Sequence, residues 1–100
     1  MNIEETGFLE PNEHNEINIS AQKRSAKSAG WLASFRPYDD LHEYESFTTA
    51  SAAKAWLVEK FNEYTSSDRK RLPWVKNSDL HFTADCVFNE KTGKTNFRKA

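Results

Sequence analysis

The residues of this chain that could do chemistry are few and widely spaced. His14, His42 and His81 lie far apart and lack the short spacings with which one segment grips a metal ion. His81 and Asp85 share a strand face with Thr83, which would set two ligands near each other. Two ligands make a weak site, and strand faces often carry such residues for solubility, so no metal centre is read. Cys86 falls on the apolar side of the same strand and reads as a small core residue rather than a nucleophile. Gly93-Lys94-Thr95 looks like the tail of a phosphate-binding loop, but Phe88 stands where that motif requires its first glycine. The carboxylates of Asp39, Asp40, Glu43 and Glu45 belong to a turn and an exposed strand face, with nothing to bury them and lift a pKa. No catalytic set, cofactor or metal is expected, and the chain reads as a protein that is not an enzyme.

Charge and aromatic residues offer binding chemistry instead. Lys23-Arg24 with Lys27, and Arg69-Lys70-Arg71 followed by Trp74, each combine cations that attract phosphate with, in the second case, an indole on which a base can stack. The plainer reading of each patch is a solvated surface loop. The acidic stretch Asp39, Asp40, Glu43, Glu45 suits a basic partner surface. Trp56 sits at the margin of a helix stripe. It is either a half-buried aromatic with the Lys60 stem laid along it, or an exposed anchor for a partner.

One hundred residues make one domain, and 13% aromatic residues give each core position a large area to bury. A deep substrate cavity is not expected at this length. The net charge of −1 supplies no general attraction to nucleic acid or to an acidic membrane. Charge is nevertheless segregated: residues 1–19 hold five glutamates and no lysine or arginine, whereas residues 20–36 hold four bases and no acid. Cys86 is the only cysteine, which excludes an internal disulfide and suits a cytoplasmic protein. Neither a signal peptide nor an apolar run of bilayer length is found, so no membrane partner is expected.

The elements that must position these residues are organised around one periodic stretch, Phe47 to Tyr64. Thr48 or Thr49 can cap a helix, alanines at 50, 52, 53 and 55 favour it, and Ala53, Leu57, Phe61 and Tyr64 form its apolar stripe. Phe47 would pin the incoming chain if Thr48 is the cap. Ser66 and Ser67 supply the stop. Glu16 to Ser20 gives a weak strand signal, and residues 21–29 read as a short helix or a basic loop. Trp31 to Arg36 reads as a strand ended by Pro37, and His42 to Phe47 as the strand that pairs back on it. Thr65 to Asp79 reads as a connection. Leu80 to Phe88 alternates cleanly as one strand, Gly93 turns the chain, and Thr95 to Lys99 closes it. Residues 1–15 thus form an acidic, flexible arm, and residues 16–100 a single α+β domain. Its antiparallel sheet has four to five strands, and one main helix, about residues 48–65, packs on one face.

Residues 30–64 resemble the arm-type DNA-binding module of phage integrases. The matching elements are Trp31-Leu32-Ala33-Ser34-Phe35, Glu43-Tyr44-Glu45-Ser46, Phe47-Thr48-Thr49 and the alanine-rich Ala52 to Leu57 with its Trp56. The resemblance implies a three-stranded sheet laid in the major groove. Here Glu43 and Glu45 are expected on the exposed side of the second strand, where they would repel phosphate. By size and architecture the chain is also similar to small phage-encoded proteins that block host defence complexes. The function expected is that of an interaction protein for a protein or nucleoprotein partner, such as a phage or mobile-element inhibitor of a host defence or DNA-processing complex. The alternative is a small DNA-binding module that contacts phosphates through basic loops.

Overall fold

The computed structural model describes residues 15–27, 30–38, 41–89 and 91–98. The helix, α1 (Ala50–Thr65), forms where the alanines lie. Thr49 is the residue that caps it. Its backbone is extended, at φ −132° and ψ 156°, and its hydroxyl accepts the Ala52 N–H at 3.1 Å. Thr48 then precedes the cap, so Phe47 does not take the pinning position. Instead it packs its ring 6.0 Å from that of Trp56. At the other end Ser66 adopts the left-handed conformation, φ 57° and ψ 38°, and donates its N–H to the Asn62 carbonyl. The Ser67 N–H reaches the same carbonyl at 3.1 Å, which satisfies the end of the helix.

Seven strands form one antiparallel sheet among the described residues: β1 (Asn15–Lys23), β2 (Trp31–Tyr38), β3 (Leu41–Phe47), β4 (Val75–Ser78), β5 (His81–Thr83), β6 (Cys86–Asn89) and β7 (Lys94–Phe97). The sheet is therefore larger than the four to five strands expected, within the α+β class that the sequence indicated. Along the main path the order is β3-β2-β1-β5-β4, and β6 lies on β1 with β7 beyond it. β1 is thus central. The weak signal at Glu16 to Ser20 marks the strand to which three others pair.

Three local expectations are corrected. Pro37 does not end β2; it is a buried residue of that strand, beside a register shift between Phe35 and Tyr38. A bulge of this kind removes the need for the ladder N–H that proline lacks. The connection after the helix contains β4, whose four residues show no clean alternation. The stretch Leu80 to Phe88 is two strands, not one. β5 and β6 keep a common register against β1, from Gln22 opposite His81 to Asn15 opposite Phe88, but the ladder is interrupted at Ala84-Asp85. There the Asp85 carboxylate accepts the Ile19 N–H at 2.8 Å, while the Ala84 N–H still donates to the Ile19 carbonyl at 3.0 Å. The side chain of Asp85 stands in for a backbone acceptor.

The core lies between α1 and one face of the sheet. Ala53, Leu57 and Phe61 of the helix are buried against Ile17, Ile19 and Ala21 of β1 and Ala33 and Phe35 of β2. Each large side chain buried here contributes about 1.5–3 kcal/mol relative to leaving it in water. Tyr64 closes the stripe with edge-on contacts to Phe35 and Phe88 at 6.1 and 5.9 Å. Towards β5 the aromatic layer continues from Trp31 to Phe82 at 5.9 Å. The Lys54 ammonium lies 3.8 Å from the Phe82 ring centre and 5.5 Å from that of Trp74.

Candidate binding surface

Strand alternation decides which side chains are left on the uncovered side of the sheet. In β1, Ile17, Ile19 and Ala21 point into the core, so Asn18, Ser20 and Gln22 point away from it. In β2 the outward set is Leu32, Ser34 and Arg36, and in β3 it is His42, Tyr44 and Ser46. The register aligns them in rows: Leu32 lies between Gln22 and Ser46, and Ser34 between Ser20 and Tyr44. Beyond β1, His81 continues the first row and Thr83 the second. These side chains offer amides, hydroxyls, imidazoles and one guanidinium, and β1, β2 and β3 contribute a single carboxylate, Glu16, at the start of β1. That carboxylate is paired with the Arg98 guanidinium.

The acids of β3 go to the other side. Glu43 projects towards α1, where its carboxylate accepts from the Lys60 ammonium at 2.9 Å. This hydrogen bond, with the accompanying charge attraction, raises the Lys60 pKa. Glu45, two residues on, has the same orientation and is exposed. The expectation that both stand on the exposed side of the sheet, where they would repel phosphate, is therefore corrected. No local pattern in the sequence signals this, because the partner of Glu43 is a helix residue that only the fold brings to it.

Leu32 and Tyr44 are the conspicuous residues of the uncovered face, 43% and 61% exposed. Tyr44 stacks edge-on with His42, ring centres 4.9 Å apart, and the His42 Nε2 lies 2.6 Å from the Ser34 hydroxyl. One corner of this face holds an open depression of about 430 Å³, lined by Gln22, Arg24, Gly30, Trp31, Leu32 and Ser46. Gly30 makes the close approach there possible, since a Cβ at that position would meet the Phe47 carbonyl oxygen at 3.3 Å. Sequence reasoning missed Leu32, Tyr44, Gln22 and Ser46. The available signal was phase: Leu32 and Tyr44 are large residues out of step with the apolar alternation of their own strands.

The two basic patches are set apart. Lys23 ends β1, and Arg24 and Lys27 are exposed in the turn beyond it; of the stretch 21–29, the described residues 21–27 are therefore strand as far as Lys23 and then turn, and residues 28 and 29 lie outside the described residues. None of the three makes an ion pair with a described residue. Arg69 lies at the opposite end of the sheet. Its guanidinium sits 4.8 Å from the Phe97 ring centre, and Phe97 pairs with Cys86, which pairs with Ile17 at the start of β1. The six residue steps from Ile17 to Lys23 span roughly 20 Å at a strand rise of about 3.3 Å. Asn62 clamps the Arg69 backbone, accepting its N–H at 3.1 Å and donating to its carbonyl at 2.8 Å, and leaves Lys70 and Arg71 exposed. Trp74 is half-buried, with the Lys54 ammonium 5.5 Å from its ring centre. Trp56 is half-buried between Phe47 and the Lys60 ammonium, 5.3 Å from its ring centre. Asp39, Asp40 and His14 lie outside the described residues, as do residues 1–14 of the acidic arm.

Cys86 faces the core, as the alternation predicts. Burial pushes its thiol up to about 12, and the neighbouring Asp85 charge adds to the rise. His81 and Asp85 do not form a shared ligand pair, because the Asp85 carboxylate turns into the sheet to hold Ile19. Among the described residues no group of three or more His, Cys, Asp or Glu side chains could hold a metal ion, and no helix is long and apolar enough to cross a membrane. No family model matches the chain, and neither a curated protein nor a solved structure matches it.

Proposed function

We propose that this chain is a non-catalytic interaction module that engages a protein or nucleoprotein partner through the uncovered face of its sheet. The observation that carries this reading is the position of Leu32 and Tyr44, exposed together on a face made otherwise mainly of amides, hydroxyls and imidazoles. Tyrosine supplies contact area at low entropic cost and concentrates in binding interfaces. The analogy of size and architecture points to a host defence or DNA-processing complex as the partner, with the chain as its phage-borne or mobile-element inhibitor. The test is affinity capture of partners from a phage-infected host lysate with the wild type, Tyr44→Ala and Leu32→Ala. Capture of a defined complex by the wild type and its loss in both variants is the expected result. Capture unchanged by both variants but lost when Lys70 and Arg71 are reversed would overturn the assignment of the face.

A second reading is direct contact of the same face with duplex DNA. It is favoured by the turning of Glu43 towards Lys60, which removes from this surface the repulsion that the sequence implied. Binding would then weaken steeply with salt. No retention in a low-salt gel shift up to tens of micromolar protein, on the order of non-specific affinities, would remove this reading.

A further inference from the structure

We infer that the corner depression at the end of β1 is a binding site for a nucleoside phosphate unit, free or within a single-stranded nucleic acid. The inference rests on the proposed function only in taking the uncovered face as the working surface. The depression, about 430 Å³, falls in the size range of small-ligand sites. Leu32 lines it, is 43% exposed, and is flanked on the neighbouring strands by Gln22 and Ser46, which line it too. An apolar platform between an amide and a hydroxyl matches a planar heterocycle, which needs a face to rest on and donors and acceptors at its edge.

The charge at the rim completes the complementarity. Arg24 lines the depression, and its guanidinium offers the forked donor geometry that fits a phosphate. It makes no ion pair with a described carboxylate, and Lys23 and Lys27 flank it in the chain. Among the described residues no acid lines the site. A neutral aromatic ligand would leave the Arg24 guanidinium unused, and an inorganic anion would leave the Leu32 platform unused. A base joined to a phosphate uses both.

The experiment is fluorescence anisotropy of a labelled thymidine oligonucleotide of about 12 nucleotides, within the range of single-strand site sizes, on the whole chain at low salt. Adenosine monophosphate and inorganic phosphate serve as separate competitors. The expected result is saturable binding weakened about tenfold by Arg24→Gln, with the slope of log affinity against log salt falling by about 1, as for loss of one phosphate contact. Gln22→Ala weakens it less, and joint replacement by glutamine of Lys70 and Arg71, which do not line the depression, leaves it unchanged. Displacement by the mononucleotide but not by phosphate supports a nucleoside phosphate unit as the ligand; displacement by neither supports a site that reads the strand. Displacement by phosphate as efficiently as by the mononucleotide overturns the proposal, as does the absence of saturable wild-type binding. Equal weakening by the Arg24 and Lys70/Arg71 variants also overturns it, since it marks undirected attraction. Arg24→Gln and Tyr44→Ala separate the two readings: lysate capture that survives the first and fails with the second leaves the proposed function standing without this site.

Discussion

Asp85 holds the central strand by a single hydrogen bond that a backbone carbonyl would otherwise make. Removing the carboxylate leaves the buried Ile19 N–H without its acceptor, a loss on the order of 1–3 kcal/mol. Asp85→Ala should therefore lower the free energy of unfolding by that amount in urea titrations, and Asp85→Asn, which keeps an acceptor, by markedly less. Next to it, Cys86 gives a pH signature. Its folded-state pKa lies above the ordinary value of 9.0, at about 12, so the folded chain holds this proton more tightly than the unfolded one does. The contribution to stability is complete below pH 9.0 and is lost as pH rises towards 12. Relative to Cys86→Ala, the wild type should lose unfolding midpoint more steeply across that window. In the native state the thiol should also resist alkylation near pH 8, while the unfolded chain reacts readily.

At the level of elements, the helix tests the capping assignments. Thr49→Ala should cost about 1 kcal/mol, the usual worth of a threonine cap. Ser66→Gly should stabilise by about 1 kcal/mol, because Ser66 adopts a left-handed conformation that glycine reaches without penalty. Thermal melts or urea titrations read both. The helix was legible because alanine propensity and an apolar stripe agree over four turns. The strand from Leu80 to Phe88 was legible in its facing but not in its interruption, since its register against β1 is continuous and the break is made by one side chain. β4 has no alternation to find, and Pro37 is misleading because a bulge lets β2 continue past it. Of the candidate site, the cations Lys23, Arg24 and Lys27 could be picked out from charge alone. The face that Arg24 borders could not, because it depends on which side of β3 Glu43 takes.

For the molecule as a whole, the two sides of the sheet differ in chemistry. Glu43, Glu59 and Glu63 lie on the helix side, and the uncovered side carries amides, hydroxyls and imidazoles. Substitutions on the uncovered side should therefore separate binding from stability. Tyr44→Ala should change the unfolding free energy by less than about 0.5 kcal/mol, as exposed positions do, while reducing partner capture. The central place of β1 has a further consequence, for the speed of folding. β1 is the first described strand to leave the ribosome, yet one of its edges is completed only by residues 81–88, among the last described segments to be made. Its hydrogen bonds must wait for chain nearly seventy positions away, a closure that is entropically slow. Refolding should accordingly take milliseconds to seconds rather than microseconds. A nascent chain arrested before β5 would expose Ile17, Ile19 and Ala21 beside an unfilled ladder, and so would need protection from other chains until synthesis had passed Phe88.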